Sequence, residues 1–323
     1  MRNKLSPFIS ALAVFIIAVS LMMLFLASKQ QGSKKIIYSP VPDFLSLSQN
    51  KQVVTTAIFT PNIPKETVLG VFTESLSSEA ALVYDLTTQK TFYAKNQTKR
   101  LPMASLTKVM TAIIAIENQV PDDRYLVTKE ALVGEDSMGA TPGETYSLEE
   151  LLYGLILVSG NDAAEVLAMH FKGGRNAFIA AMNEKARSLG ALDTHFTNPT
   201  GLQGDGDQYT TAQDLLVITA YAIERFPLFI KVVSTYEKTL PYSQKHKALF
   251  LYNETNLRTS YPGIKGVKTG YTPEAGLCLI TYLDYKGHKI IGVLLGSSNR
   301  REEMRELLNY SLRSQGVEPP IAD

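Results

Sequence analysis

A serine and a lysine stand three residues apart at the start of an apolar stretch, and this pair could carry acyl-transfer chemistry. They are Ser105 and Lys108, and the mostly apolar residues 109–116 after them predict a helix. Three residues make almost one helical turn, so the two side chains would lie on one face. A serine hydroxyl needs a base within hydrogen-bond reach to act as a nucleophile. Lys108 can be that base only while it is neutral, a state that burial and nearby positive charge favour.

The Ser-x-x-Lys spacing is not specific by itself. Ser48 and Lys51 have the same spacing within a polar segment of the same chain. At Ser105 and Lys108, the spacing is therefore equally compatible with a serine that caps a helix and a lysine in solvent. Other residues must decide between the two interpretations.

Two further polar triplets follow along the chain. A Ser-Gly-Asn triplet occupies residues 159–161, in a predicted turn between two helices, and a Lys-Thr-Gly triplet occupies residues 268–270, where a predicted strand begins. Polar side chains in such a turn can point into a cleft, and the backbone of a strand can line it. The Ser-x-x-Lys motif followed by these two triplets is the signature of penicillin-binding proteins and class A β-lactamases.

The chain resembles the low-molecular-mass serine D-Ala-D-Ala carboxypeptidases, which are penicillin-binding proteins of the β-lactamase/DD-peptidase superfamily and peptidase family S11-like. The resemblance covers residues 76–312. It extends beyond the triplets, because residues 102–108, 157–164, 183–202 and 263–272 look like the corresponding family segments. It implies a serine hydrolase that removes the terminal D-Ala of the peptidoglycan stem pentapeptide and that binds β-lactam antibiotics as inhibitors.

The resemblance implies catalytic roles for four motif residues. Ser105 would be the acylated nucleophile and Lys108 its base, while Ser159 and Asn161 would relay the proton and hold the peptide. Lys268 would be a like-charged neighbour of Lys108, which would help to keep Lys108 neutral.

The third triplet and the residue after it would bind the substrate. Lys268 and Thr269 would hold the terminal carboxylate, and Gly270 would allow a close approach of the backbone. The backbone N–H groups of Ser105 and Tyr271 would form the oxyanion hole.

Three other kinds of residue have weaker signals. Arg300 or Arg301 would support the substrate carboxylate, and Asp162 is predicted to cap a helix. The histidines have no metal-ligand spacing, so we expect neither a metal nor a cofactor. The histidines are His170, His195, His246 and His288.

Hydrophobic periodicity predicts strands at both ends of the globular part and helices between them. The predicted strands are residues 80–84, 91–94, 276–282 and 289–295. The predicted helices are the one that Ser105 opens and residues 148–158, 162–170, 176–189, 211–223 and 301–312. This order predicts an α+β fold, with a mainly antiparallel sheet from both chain ends, flanking helices and a helical subdomain.

Residues 7–27 carry no charge and are mostly apolar, which predicts a transmembrane signal-anchor. A bilayer needs about 20 apolar residues, whereas a cleavable signal has about 7–15. We therefore expect a cell-membrane protein with an extracytoplasmic catalytic domain, or a secreted one if the signal is cleaved. The predicted organisation is a tail (1–6), the anchor (7–27), a spacer (28–66), the catalytic domain (67–315) and a second tail (316–323).

The composition excludes several classes of protein. The 323 residues have a net charge of +1, so nothing in the charge balance indicates a nucleic-acid partner. The chain contains one cysteine, which excludes a disulfide framework. The expected partners are the stem peptide, β-lactams and, through the anchor, the membrane.

Three alternatives to a carboxypeptidase stay open at this point. A DD-endopeptidase that cuts cross-links would carry the same motifs. A class A β-lactamase would need a glutamate in a Glu-x-x-Leu-Asn motif, and the nearest match, residues 254–258, ends differently. The third alternative is an inactive membrane-tethered scaffold, against which the presence of every motif residue argues.

Overall fold

A five-stranded antiparallel sheet is the central element of the computed structural model, which describes residue 72 and residues 75–120, 123–255 and 257–321. In spatial order, the strands are β2 (Lys90–Lys95), β1 (Ala80–Asp85), β9 (His288–Ser297), β8 (Gly276–Tyr285) and β7 (Ile264–Thr272). Strand β1 pairs with β9, so the first and last strands of the described chain are neighbours. The predicted sheet from both chain ends is confirmed.

Strand β7 begins earlier than the sequence indicated. The Lys-Thr-Gly triplet was expected to introduce the strand, but it lies inside β7, which starts at Ile264. Pairing with β8 already joins Ile264 to Leu283 and Val267 to Thr281. The glycines around these residues hide the period-two pattern, although the backbone pairing continues past them.

Eight α-helices accompany the sheet within the described residues. They are α1 (Lys108–Glu117), α2 (Leu148–Leu157), α3 (Asn161–Met169), α4 (Gly174–Ser188), α5 (Ala212–Arg225), α6 (Pro227–Val233), α7 (Leu257–Ser260) and α8 (Arg300–Arg313). Helix α2 begins with a capping box between Ser147 and Glu150, and α6 begins with a proline, which a first helical turn accepts.

The sheet has a hydrophobic core on each face, because side chains alternate along its strands. From β1, Leu82 and Tyr84 enter the larger core together with α1 and α5, whereas Ala81 and Val83 pack with α8 on the other face. Helix α1 contacts α2, α3, α4 and α5 and is buried from Lys108 to Ala115. An apolar helix of this kind is typical of a core position.

The sequence analysis did not anticipate the shorter elements. They are α6, the ribbon of β3 (Tyr125–Leu126) with β4 (Thr145–Tyr146), and the hairpin of β5 (Glu237–Leu240) with β6 (Leu249–Tyr252). Each is too short for its periodicity to be distinguished from that of a loop.

The predicted transmembrane segment, residues 7–27, and the spacer, residues 28–66, lie outside the described residues. Within the part that the structure describes, no helix has both the length and the apolar character needed to span a bilayer.

Candidate active site

Ser105 and Lys108 lie on one continuous helical segment. Ser105 belongs to a 3₁₀ turn, Ala104–Thr107, and Lys108 is the first residue of α1. Lys108 Nζ is 2.9 Å from Ser105 Oγ. The lysine is fully buried, so the interpretation of Lys108 as a solvated lysine is wrong. The two side chains meet as their spacing predicted.

The contacts of Lys108 bear on its protonation state. Its Nζ lies 2.7 Å from Asn161 Oδ1 and 2.7 Å from the carbonyl oxygen of Thr200, in addition to the contact with Ser105. A neutral amine has two N–H bonds and one lone pair. Two oxygens that only accept hydrogen bonds use both N–H bonds. The lone pair is then left for the hydroxyl proton of Ser105.

Burial is the main reason why Lys108 favours the neutral form. It lowers the pKa of Lys108 well below its usual value, and the charge of Lys268 lowers it further. Asp136, Glu254 and Asp162 oppose this shift. The sequence analysis named both burial and the Lys268 charge, and burial has the larger effect.

Ser159 lies in the turn between α2 and α3, and Asn161 is the first residue of α3. Ser159 has a φ of 59°, in the left-handed region that non-glycine residues rarely adopt. Its hydroxyl oxygen is buried and has no hydrogen-bond partner among the described residues. Asn161 is held through its backbone N–H by the carbonyl of Asp136, at 2.8 Å, and through Nδ2 by the carbonyl of Gly134, at 3.1 Å. The turn therefore fixes Asn161 and leaves the Ser159 hydroxyl available for another group.

Asp162 stabilises the loop that faces this turn. Its carboxylate accepts hydrogen bonds from Ser137 Oγ at 2.6 Å, from Met138 N at 2.9 Å and from Ala140 N at 3.0 Å. It also accepts one from Ala163 N at 2.9 Å. The predicted helix cap is thus mainly a link between α3 and the loop.

The backbone of β7 lies directly against the Ser105 turn. A Cβ atom added to Gly270 would lie 3.1 Å from Ser105 N and 3.1 Å from Ala104 Cβ, so any side chain there would crowd the Ser105 turn. Tyr271 follows in the same strand, with its side chain exposed. The two N–H groups expected to form the oxyanion hole therefore belong to adjacent, tightly packed segments.

Lys268 is a second buried cation at this site. Its Nζ donates to the carbonyl of Thr269 at 3.0 Å. Burial lowers the pKa of Lys268 to about 8, while Glu254 and Asp136 act in the opposite direction. Lys268 is therefore mostly charged at neutral pH.

Of the two candidate arginines, Arg300 is the one that contacts β7. Its Nη1 donates to the carbonyl of Gly270 at 2.7 Å and to the carbonyl of Cys278 at 3.2 Å. Arg300 also lines a small pocket together with Thr269 and Glu254, and Arg301 lies at the rim of that pocket. In this pocket, Thr269 of β7, which is expected to bind a carboxylate, lies beside the acidic residue Glu254.

Sequence reasoning missed three contributors to the site. The Thr200 carbonyl and Glu254 have no motif of their own. Gly201 has a φ of +92°, and a Cβ atom added there would lie 2.0 Å from the Ala104 carbonyl oxygen. This glycine stood within a stretch that resembles the family, but its spacing does not reveal that it packs beneath Ser105.

Comparison with known proteins identifies the family. A model of the peptidase S11 family, described as D-alanyl-D-alanine carboxypeptidase, matches residues 67–299. The chain belongs to this family. Solved D-alanyl-D-alanine peptidase structures share its α+β fold: the crystal structure of the Streptomyces K15 DD-transpeptidase superposes with a TM-score of 0.71 at 29% identity, covering 75% of this chain and 100% of that one.

Two curated relatives of this D-alanyl-D-alanine carboxypeptidase family carry different names. The carboxypeptidase DacF of Bacillus subtilis is 33% identical over 261 residues, which cover 77% of this chain and 66% of that protein. The D-alanyl-D-alanine endopeptidase of Pseudomonas aeruginosa is 34% identical over 248 residues, which cover 76% of this chain and 77% of that protein. The chain thus spans slightly less than two thirds of the Bacillus carboxypeptidase's length.

Proposed function

We propose that this protein is a serine D-alanyl-D-alanine carboxypeptidase that removes the terminal D-Ala from peptidoglycan stem pentapeptides and so contributes to cell-wall maturation. Membership of the family supports this activity. The observation that carries the proposal is the 2.9 Å contact between Lys108 Nζ and Ser105 Oγ, made while the other two contacts of Nζ occupy its N–H bonds.

The reaction begins with acylation of Ser105. Lys108 takes the hydroxyl proton as Ser105 Oγ attacks the carbonyl carbon between the two D-Ala residues. The N–H groups of Ser105 and Tyr271 stabilise the oxyanion that forms. The protein holds these donors in place before the reaction, so little reorganisation is needed.

Ser159 and Asn161 act on the departing D-Ala. The Ser159 hydroxyl, which lacks a partner among the described residues, passes the proton from Lys108 to the leaving amine. Asn161 holds Lys108 and the peptide in position. Water then hydrolyses the acyl-enzyme, which releases the shortened stem and restores the Ser105 hydroxyl.

Lys268, Thr269 and Gly270 recognise the terminal carboxylate of the substrate. Lys268 supplies a positive charge, Thr269 a hydroxyl donor, and Gly270 the space for the strand to pass close to Ser105. Arg300 supports this strand through the Gly270 carbonyl and adds positive charge.

Covalent labelling tests the catalytic assignment. A β-lactam carbonyl resembles the scissile bond, so intact-mass analysis is expected to show one adduct on the full chain. The adduct is expected to disappear in Ser105→Ala and to persist in Ser48→Ala, which changes the other Ser-x-x-Lys sequence. An adduct that survives Ser105→Ala contradicts the assignment.

A DD-endopeptidase is the second candidate, because the Pseudomonas aeruginosa relative carries that name and is matched over 77% of its length. The two activities differ in their products. A carboxypeptidase releases free D-Ala from a pentapeptide, whereas an endopeptidase converts a cross-linked dimer into monomers. Faster cleavage of the dimer than of the pentapeptide would favour the endopeptidase.

We further propose that residues 7–27 anchor the protein in the cell membrane and that residues 28–66 hold the catalytic domain outside it. The uncharged apolar stretch and the polar, proline-containing segment after it support this arrangement. Peptidoglycan lies outside the membrane, so the proposed reaction requires export.

Protease treatment of spheroplasts tests this topology. The catalytic domain is expected to be digested without lysis, and a chain shortened to begin near residue 66 is expected to be soluble. If the domain is protected until the cells are broken, the proposed topology is wrong.

A further inference from the structure

The β5–β6 hairpin has one buried face and one exposed face. Leu240, Leu249 and Leu251 are buried in the larger core. Phe250, between Leu249 and Leu251, is 66% exposed, and Tyr252, which follows Leu251, is 55% exposed. The alternation follows the two-residue period of a strand, so both rings lie on the same outer face. The core leucines hold this face in place.

The exposed face combines aromatic rings with hydrogen-bonding side chains. Thr239 pairs with Phe250 in the hairpin register, and Glu237 pairs with Tyr252. Paired residues of adjacent strands project from the same face. The face therefore offers two rings, two hydroxyls and a carboxylate, but no aliphatic side chain. Sugar rings present C–H groups on their faces and hydroxyls on their edges, so they match this composition better than an apolar protein surface does.

The hairpin lies close in the sequence to a residue that lines the pocket at the candidate active site. Asn253 follows Tyr252, and its Nδ2 donates to the carbonyl of Thr235 at 2.9 Å, while its backbone N–H donates to the carbonyl of Tyr236 at 2.7 Å. The next residue, Glu254, lines the pocket that also contains Thr269. A fixed segment of two residues thus connects the aromatic face with the cleft.

The chain length between the hairpin and the pocket is compatible with a substrate whose stem peptide is attached to a polysaccharide. Four stem residues separate the glycan from the bond that the proposed reaction cuts, and four extended residues span at most about 14 Å. The two residues from Tyr252 to Glu254 cover at most about 7 Å. An extended stem attached to a glycan strand on the hairpin is therefore long enough to reach Glu254, which lines the pocket beside Thr269.

We propose that the outer face of the β5–β6 hairpin, centred on Phe250 and Tyr252, binds the glycan strand that carries the stem peptide. The aromatic rings stack on sugar rings, and Thr239 and Glu237 bind sugar hydroxyls. This inference rests on the proposed action on peptidoglycan. It adds a polysaccharide site that raises the local concentration of stems at Ser105.

Binding to glycan strands freed of their stem peptides by an amidase tests the proposal without requiring catalysis. The full chain is compared with the double variant Phe250→Thr/Tyr252→Thr, in which threonine preserves strand propensity. Leu192→Thr, at a residue that is 70% exposed elsewhere on the surface, is the matched control. Binding is expected to weaken about tenfold or more in the double variant and to stay unchanged in the control.

A second measurement separates this inference from the proposed function. Activity of the double variant on a soluble pentapeptide is expected to equal that of the parent, whereas activity on glycan-linked pentapeptide is expected to fall several-fold. If the parent cleaves neither substrate but the glycan-binding difference remains, the proposed function fails and the inference stands. Unchanged glycan binding in the double variant overturns the inference. A double variant that binds glycan strands as well as the parent but binds lipid vesicles more weakly also overturns it, because the face would then bind lipid.

Discussion

At the scale of single residues, burial lowers the pKa of two lysines at the site, and that of Lys108 lies well below its usual value. Lys108 loses its proton easily because it is fully buried and Lys268 adds a second positive charge nearby. Lys268 keeps its proton up to about pH 8, because Glu254 and Asp136 partly offset the effect of burial. These environments support the proposed roles of Lys108 in proton transfer and of Lys268 in recognition of the carboxylate charge.

The two lysines are expected to fail differently when replaced. Lys108→Ala removes the base, so acylation by a β-lactam and by the peptide is expected to slow by several orders of magnitude, as for residues that act as a unit. Lys268→Ala weakens binding of the carboxylate, so its KM is expected to rise as well. Steady-state kinetics and adduct-formation rates distinguish the two. Identical kinetics for both variants would contradict their separate roles.

The pH profile of kcat/KM follows from the same two groups. The rate is expected to fall as pH decreases through the lowered pKa of Lys108, because the base becomes protonated. It is also expected to fall as pH increases through about 8, where Lys268 loses the charge that holds the carboxylate.

Lys268→Arg tests the alkaline limb, because a guanidinium stays charged throughout this range. In this variant, the fall in kcat/KM near pH 8 is expected to shift to higher pH. A substrate with a terminal amide in place of the carboxylate is the control and is expected to lack the limb in the parent. A limb that remains in Lys268→Arg with the carboxylate substrate would show that another group titrates.

At the scale of elements, the position of Ser105 depends on the packing of two segments against its turn. Strand β7 approaches through Gly270, and the segment around Gly201 approaches from another side, close to the Ala104 carbonyl. A Cβ atom at Gly201 would clash with the Ala104 carbonyl, and one at Gly270 would crowd the turn. The nucleophile is therefore positioned by backbone contacts as well as by its own helix.

Gly201→Ala is expected to reduce acylation about 100-fold or more, because the new Cβ atom would displace the Ala104 carbonyl and with it Ser105. Gly190→Ala is the matched control. Gly190 also has a positive φ, +80°, but a Cβ atom there meets nothing within 4 Å. The control carries the backbone strain, about 1 kcal/mol, without the clash. Equal acylation rates for the two variants would rule out the packing argument.

At the scale of the whole molecule, the last helix holds the first described residues in place. Glu303 of α8 accepts hydrogen bonds from the backbone and hydroxyl of Ser77, from Ser78 N and from Ser297 Oγ. Burial raises the pKa of Glu303, but these hydrogen bonds outweigh it and keep the pKa below the usual 4.5. The link joins the two chain ends that build the sheet.

Glu303→Gln is expected to lower the free energy of unfolding at pH 7 by about 1–3 kcal/mol, since charged hydrogen bonds are lost. A carboxylate with a depressed pKa contributes its stability above its unfolded pKa and loses it as pH falls through its folded pKa. The difference between the parent and the variant is therefore expected to shrink below about pH 4.5. Urea unfolding at several pH values measures it.

Glu302→Gln, at the neighbouring position of α8, is the control for this effect. Glu302 makes an exposed ion pair with Arg305, and such pairs contribute about 0–1 kcal/mol. Its replacement is expected to leave the pH dependence of stability almost unchanged. If both variants lose the same free energy of unfolding at pH 7, the role of Glu303 in linking the chain ends is wrong.

Much of this protein could be predicted from the sequence alone, because the signals involved are local. Spacing along one helix brings Ser105 and Lys108 together, and short, continuous apolar runs indicate strands such as β8 and β9. The order of strands, helices and strands is enough to predict a sheet from both chain ends. Short elements such as the β5–β6 hairpin carry too few residues for these signals.

The protonation states and the packing around the nucleophile were decided only by the tertiary structure. The burial of Lys108 and its contact with the Thr200 carbonyl depend on segments that are 92 residues apart in the chain. Glu254 acts on Lys268, and Gly201 packs beneath Ala104, without any local pattern to show it. Local spacing determines which side chains share an element, but solvent exclusion and charge proximity arise only when distant elements pack together.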